Sequence, residues 1–403
     1  MKRIWIVTEL FYPEETSTAY ILTKIAQRLT EKYDVHVICG PENYNKNSLV
    51  IENSKSQLLN DNITIQRVSD TKLDKNKLLS RIIRFIILSW KLSYSLWKNL
   101  ESNDSILIVT NPAPLLLIIS IIKRIRKNKL YILVHDVFPE NTIPANIIAS
   151  SDSLLYRILK KIFDFAYRQA DTLIVLGRDM KDVIKKKLGA NKRGTDIQII
   201  ENWAEIDRIV PNKTKNLEMF LSNPKIDIQY AGNIGRVQGL MNFLHIIKSI
   251  ENPYLRFSFW GEGACKQEMV KYVEDEKMQN IYFFNGYARN EQSSVLNNCD
   301  IAIVILAPGM YGLGVPSKAY NIMAAGKPIL FIGDINSEIA LEVKENKIGF
   351  CFEAEDSQGL FSFFQSLNDT KLFSLSEMGK KARYLAETKY SAQKILDKFI
   401  QVI

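Results

Sequence analysis

Residues Pro308–Gly333 read PGMYGLGVPSKAYNIMAAGKPILFIG, three kinds of segment in a fixed order. A loop rich in Gly and Pro comes first, then a short apolar helix, then a strand that opens at Lys327-Pro328. Ser317 is the expected cap of that helix, because a serine hydroxyl accepts from free backbone N–H groups, and Pro316 is tolerated at a helix start. Ala324, Ala325 and Gly326 let the helix end lie close to a sheet. A loop that delivers Ser317 and Lys318 to a helix N-terminus is an anion site, since N–H groups, the positive dipole end and an ammonium converge. The alternative is an ordinary loop–helix–strand unit of an α/β domain.

Working outward, the same alternation runs through the chain twice. Apolar runs Trp5–Val7, Val35–Cys39, Ile63–Val68, Ile106–Val109, Tyr131–Val134, Leu173–Leu176 and Ile197–Ile200 read as strands. Helical segments such as Ala19–Glu31, Leu78–Leu100 and Leu154–Arg168 lie between them. A second set follows at Ile228–Ala231, Phe257–Trp260, Ile281–Phe284, Ile301–Leu306, Ile329–Ile332 and Gly349–Phe352. Near-continuous apolar strands alternating with helices imply parallel sheets covered on both faces. The polar stretch Asn202–Lys215 reads as the linker. With 403 residues, two domains are expected.

Composition narrows the function. Four scattered cysteines and three scattered histidines (His36, His135, His245) suggest neither a disulfide framework nor a metal cluster. No signal peptide precedes the first strand, and no uncharged apolar run reaches the ~18 residues needed to span a bilayer. The net charge is +9. Residues 1–205 hold 31 Lys/Arg against 22 Asp/Glu, whereas residues 206–403 hold 22 of each. The first half should therefore face something anionic.

Ligands of open α/β sheets bind beyond the carboxyl ends of the strands. In AGNIGRVQGL (residues 231–240), glycines allow close backbone approach and Arg236 supplies a cation for phosphate. Gly261-Glu262-Gly263 and Gly286-Tyr287-Ala288-Arg289 follow the next two strands. Glycines serving only as turns would explain any one loop, but less easily all of them with Arg236 and Lys318. The GxGxxG dinucleotide fingerprint is absent, which argues against a nicotinamide dehydrogenase.

The order GNIGRVQGL, FWGEGACKQEM, NIYFFNGYARNEQ, CDIAIVIL and GVPSKAYNIMAAGKPIL resembles the donor domain of retaining glycosyltransferases of family 4, which have the GT-B fold. NPAPLLLIIS, YILVHDVFPEN, ADTLIVLGRDM and IENWAE resemble the subgroup that builds bacterial O-antigens and capsules, including WbuB-like enzymes proposed to transfer N-acetyl-L-fucosamine. The resemblance implies an α/β chain of two doubly wound, Rossmann-like domains facing across a cleft. Residues 1–205 would bind the acceptor, 206–385 the nucleotide sugar, and the helix within 386–403 would cross back to the first domain. The diphosphate would lie on Gly232, Asn233, Gly235, Arg236, Ser317 and Lys318, with Gln238, Gly261, Glu262, Val315 and Pro316 around the donor. Tyr287 and Gly286 would border the base, and Asn321 a ribose hydroxyl. Four positions depart from the family pattern. Leu313 and Asn321 stand where many members carry two glutamates, and Asn233 and Gln238 replace an arginine–lysine pair.

In the first half, His135-Asp136 ends a strand, with Glu140 a turn later. Asp136 is the candidate to position or deprotonate the acceptor hydroxyl, and Glu140 and Arg178 are candidate acceptor contacts. His135 is a catalytic candidate beside Asp136, the alternative being a packed strand-end histidine, and His36 and His245 read as structural. A retaining transferase of this type lets the departing phosphate take the acceptor proton, so stabilising the diphosphate is the main task. No cofactor or metal is expected, the co-substrate being a nucleotide diphospho-sugar, with UDP favoured. The segment Leu78–Leu100, with Leu79, Ile82, Ile83, Ile86, Trp90 and basic Arg81, Arg84, Lys91 and Lys98, suits an anionic bilayer surface, with core burial as competitor. A polyprenyl-diphosphate-linked saccharide acceptor explains the basic half; no nucleic-acid motif is present. The expected location is bacterial cytoplasm, on the inner face of the cytoplasmic membrane. The rivals are an epimerase on the same fold and a non-catalytic nucleotide-sugar-binding subunit.

Overall fold

The computed structural model describes residues 1–14, 16–42, 62–69, 78–189, 194–212 and 226–403. Thus Glu15 and the linker beyond Asn212 lie outside the described residues, as do the side chains of Leu79 and Arg81. The chain divides into two compact units. One comprises 1–141, 148–200 and 396–403, the other 142–147 and 201–395. The sequence reading drew the boundary five residues later, at 205. Residues after Glu201 are tied into the second unit, since the Ala204 N–H donates to the Tyr390 carbonyl at 2.7 Å.

The first unit is built on seven parallel strands: β1 (Lys2–Thr8), β2 (Tyr33–Cys39), β3 (Ile63–Arg67), β4 (Ser105–Val109), β5 (Lys129–Leu133), β6 (Thr172–Val175) and β7 (Asp196–Ile199). Their order is β3-β2-β1-β4-β5-β6-β7. Every residue of β4 is buried, which is why SILIV shows no polar alternation. Leu396–Ile403 belongs to this unit. Lys32 Nζ donates to the Ile400 carbonyl at 2.9 Å, and the Tyr131 hydroxyl to that of Ile403 at 2.8 Å.

The helix Leu78–Asn99 corrects part of the expected membrane stripe. Leu88, Leu92 and Leu96, one turn apart, are buried against the sheet, whereas Ile82, Ile83, Ile86, Trp90 and Tyr94 are exposed. Arg84 is not on that outer face. It is buried, with its Nη1 3.2 Å from Glu9 Oε1 just after β1. No helix among the described residues is long and apolar enough to cross a membrane.

The second unit has six parallel strands: β8 (Ile226–Ala231), β9 (Leu255–Trp260), β10 (Ile281–Phe284), β11 (Ile301–Ile305), β12 (Ile329–Ile332) and β13 (Gly349–Phe352). Their order is β10-β9-β8-β11-β12-β13. Edge-on contacts of Phe243 with Phe257 and Phe364 fill one side of its core. In each unit the chain works outward from the first strand in one direction, then returns to its other side. The loops after β1 and β4, and after β8 and β11, therefore diverge and leave a crevice.

Candidate functional site

In the second unit, the crevice between β8 and β11 gathers most of the expected donor residues. The loop after β8 continues alongside that after β9: Gly232 N–H donates to the Trp260 carbonyl at 2.8 Å, and Ile234 N–H to that of Glu262 at 2.9 Å. A Cβ at Gly261 would collide with the Gly232 carbonyl oxygen, so this glycine serves the joining of the two loops. Gly232 is different. Its φ is +142°, and a Cβ there would stand 3.0 Å from Lys318 Nζ. The bare backbone thus leaves room for an ammonium.

Lys318 opens the helix Lys318–Ala324 and reaches back to β8. Its Nζ lies 3.6 Å from the centre of the Tyr230 ring and is buried with no hydrogen-bond partner. Burial pulls its pKa down to about 7. A charge sealed from water and held only by a ring face is under-solvated, and an anion seated over Gly232 would complete it. Ser317 does not cap the helix as expected. It has helical backbone angles and its side chain makes no capping hydrogen bond. At seven residues, this helix contributes mainly by aiming Lys318.

The loop Gly232–Gln238 supplies the rest. Asn233 Nδ2 and Gln238 Oε1 lie 2.8 and 2.7 Å from where a Cβ of Gly235 would stand, so the two amides converge over that glycine. Gln238 Oε1 is buried with no hydrogen-bond partner. Arg236 stands exposed on a one-turn helix, Arg236–Gln238. The Ala307 N–H after β11 donates to the Val237 carbonyl at 2.9 Å, binding the two crevice loops together. Val315 is buried, and Pro316 half-buried, in the loop leading to Lys318.

Other expected donor contacts are engaged locally. Glu262 pairs with Lys266 at 2.7 Å, which lowers its pKa, and accepts from the Gly286 N–H at 3.3 Å. Asn321 Oδ1 accepts the Glu205 N–H at 3.2 Å. Tyr287 is half-buried, and burial raises its pKa. Leu313 is buried, in keeping with a residue that cannot hydrogen-bond a sugar.

In the first unit, His135 and Asp136 follow β5. Both backbone N–H groups donate to Thr110 Oγ1, at 3.2 and 3.1 Å, and the Tyr167 hydroxyl donates to the Asp136 carbonyl at 3.4 Å. Burial alone raises the Asp136 pKa to about 6 and lowers that of His135 to about 4. At neutral pH the imidazole is therefore uncharged, while Asp136 is an ionised, poorly solvated carboxylate suited to accepting a proton. Glu140 is not such a group. It accepts from Lys160 at 2.8 Å and from Lys187 at 2.8 Å, and buried Lys187 also pairs with Asp164 at 2.6 Å. The expected acceptor contact is part of an ion cluster. Arg178, half-buried, begins the helix Arg178–Leu188.

Sequence reasoning missed Tyr230, Thr110 and the Arg84–Glu9 pair. Tyr230 lies two residues before Gly232 in a fully buried strand, and nothing in its spacing separates it from core. Thr110 directly follows β4, where a hydroxyl at the strand end was a usable signal.

The profile of the family described as Glycosyl transferases group 1 matches residues 225–367. The chain is 32% identical over 403 residues to the probable glycosyltransferase WbjE of Pseudomonas aeruginosa, covering 99% of this chain and 97% of that protein. It is 24% identical over 240 residues to the putative colanic acid biosynthesis glycosyl transferase WcaI of Escherichia coli K12, covering 58% of this chain and 57% of that one. Among solved structures, Anabaena HepE in complex with UDP superposes with a TM-score of 0.69 at 14% identity, covering 99% of both chains. With its two parallel-sheet Rossmann-like units, the chain belongs to the group 1 glycosyltransferases, family 4, and has the GT-B fold.

Proposed function

We propose that this glycosyltransferase moves an acetamido sugar, N-acetyl-L-fucosamine being the leading candidate, from UDP to a polyprenyl-diphosphate-linked saccharide in O-antigen or capsule synthesis. The observation that carries the donor part is the buried Lys318 Nζ, without a hydrogen-bond partner, facing the bare backbone of Gly232. A diphosphate supplies the missing acceptor oxygens, and exposed Arg236 adds a second cation. The UDP held by HepE on the same fold supports a nucleoside diphosphate as the ligand. WcaI, named for colanic acid, supports a bacterial surface polysaccharide as the product's destination.

The bond from the anomeric carbon to the diphosphate oxygen breaks, and its electron pair leaves with UDP. The acceptor oxygen attacks the same face of the sugar, and its proton passes to the departing phosphate. Lys318 and Arg236 stabilise the charge that develops there, without a metal ion. Asp136 orients the acceptor hydroxyl. The lipid-linked acceptor requires work at the inner face of the cytoplasmic membrane, with the basic first half toward the anionic lipid.

The test is a thermal-shift panel of UDP, GDP, dTDP and CMP, each with and without EDTA, followed by turnover with UDP-sugars and a polyprenyl-diphosphate saccharide. Stabilisation by UDP alone, unchanged by EDTA, with transfer to the lipid acceptor is the expected result. UDP binding without turnover on any acceptor would instead favour a non-catalytic nucleotide-sugar subunit, which the Leu313 and Asn321 replacements make the main rival.

A further inference from the structure

Three helices of the first unit, Leu78–Asn99, Ala113–Arg126 and Leu154–Tyr167, are successive crossovers from β3 to β4, β4 to β5 and β5 to β6. All three move the same way across the sheet. Right-handed crossovers therefore lay them side by side on one face, and neighbours pack against each other. Arg126 at the end of the second helix lies 4.2 Å over the Trp97 ring of the first.

Each helix already buries an apolar stripe: Leu88, Leu92 and Leu96 in the first, Leu115, Leu116 and Ile119 in the second, Phe163, Ala166 and Tyr167 in the third. Yet each also presents large apolar side chains outward. Trp90 is 59% exposed, Ile125 61% and Leu154 75%, with Ile86, Ile158 and Ile162 also exposed. The second set does nothing for the core. A surface this apolar over three adjacent helices calls for a partner.

Charge identifies the partner. The three helices carry ten Lys and Arg and a single acidic residue, Asp164. Asp164 is turned inward to Lys187, at 2.6 Å, and to Lys160, at 3.2 Å. Exposed cations, among them Lys98, Arg124, Arg126, Arg157 and Lys161, therefore border the apolar side chains, and the carboxylate beside them is Asp152, which precedes the third helix and lies 3.8 Å from Arg157. Two copies meeting through it would oppose cation to cation, and nucleic acid gains little from exposed isoleucine and leucine. An anionic lipid surface rewards both components at once.

We propose that these three helices together form a bilayer-docking face, with Leu154–Tyr167 an equal contributor to Leu78–Asn99. The inference rests on the reading of the chain as a transferase with a lipid-linked acceptor and names the surface that reaches the lipid.

The experiment is co-sedimentation of the full chain with phosphatidylcholine vesicles, with and without phosphatidylglycerol. Binding is expected only to the anionic vesicles and should weaken as salt is raised. Leu154→Asp with Ile158→Asp should lower partitioning by about tenfold or more, as much as Ile86→Asp with Trp90→Asp. Arg157→Glu with Lys161→Glu, which spares the apolar residues, should lower binding to anionic vesicles several-fold. The UDP thermal shift should stay at the wild-type value in all three variants. That readout reports folding and separates the two ideas: no UDP shift in the wild type sinks the donor reading and leaves the vesicle result standing. Wild-type vesicle binding by the Leu154/Ile158 variant would overturn the proposal, as would equal binding to neutral vesicles. Self-association abolished by the same pair, with no vesicle binding, would overturn it in favour of a second copy.

Discussion

The two crevices treat buried charge in opposite ways. At the end of β8, Lys318 Nζ is sealed over Tyr230 with no hydrogen-bond partner. At the end of β1, the Arg84 guanidinium is equally buried, but Glu9 stands 3.2 Å from it. In the same unit, Lys187 is buried between Glu140 and Asp164. A buried ion with a partner is part of the scaffold, because removing either member strands the other. A buried ion without one costs stability, and that cost is repaid when a ligand arrives. The unpaired groups of the first crevice, Asp136 and His135, follow the same logic in milder form.

The largest expected effect tests the paired side. Arg84→Met should cost about 3–5 kcal/mol in urea unfolding, because it takes a buried cation away from the buried Glu9 carboxylate. Adding Glu9→Leu should recover most of the loss. A single-variant loss below about 1 kcal/mol would remove the contrast between the two crevices.

On the unpaired side, Lys318→Met should weaken UDP about 10- to 100-fold by calorimetric titration, the worth of one charge-assisted contact. The ligand-free variant should melt higher than the wild type. The folded pKa of about 7 lies below the ordinary lysine value of 10.5, so the unfolded chain binds more protons between these limits and wild-type stability rises with pH there. The variant's advantage is therefore greatest below pH 7 and fades toward pH 10.5. An unchanged UDP affinity would assign Lys318 to the core.

Asp136→Asn should lower turnover on the order of 10²-fold while UDP affinity stays at the wild-type value. Wild-type turnover should fall as pH drops through about 6, where the carboxylate takes a proton. Here the folded pKa lies above the usual 3.8. Burial of the carboxylate therefore costs stability above pH 6, and the Asn variant's thermal advantage should shrink toward pH 4. Parallel loss of UDP affinity would contradict a role confined to the acceptor. The smallest effect is expected from Arg236→Ala, a few-fold loss of UDP affinity that shrinks further at high salt, because the guanidinium is exposed.

Much of the fold could be read in advance. Fully buried parallel strands such as SILIV and IAIVI need apolar residues on both faces, so their runs stand out in the chain. The loops that end in Gly232, Gly261 and Lys318 were legible for a related reason: close backbone approach admits only glycine, and a lysine at a helix start is conspicuous. What the sequence did not show has another cause. Ser317 does not cap its helix and Glu140 is held in an ion cluster that its sequence neighbours do not announce, because a side chain's partner is chosen by what tertiary packing brings within 3 Å. For Glu140 that was Lys187, 47 residues away in the chain. The exposed stripe on Leu154–Tyr167 was hidden likewise, because helix periodicity marks two apolar faces without saying which one the sheet covers.

The sequence by itself therefore determined the two doubly wound units, the glycine-lined loops and the family, since each depends on local periodicity or on residues that a backbone path requires. Only the tertiary structure decided which charges are paired. It put Lys318 over Tyr230, 88 residues apart in sequence, and Arg84 against Glu9, 75 apart. Pairing across such separations is a matter of distance and desolvation in three dimensions, and those quantities exist only once the chain has folded.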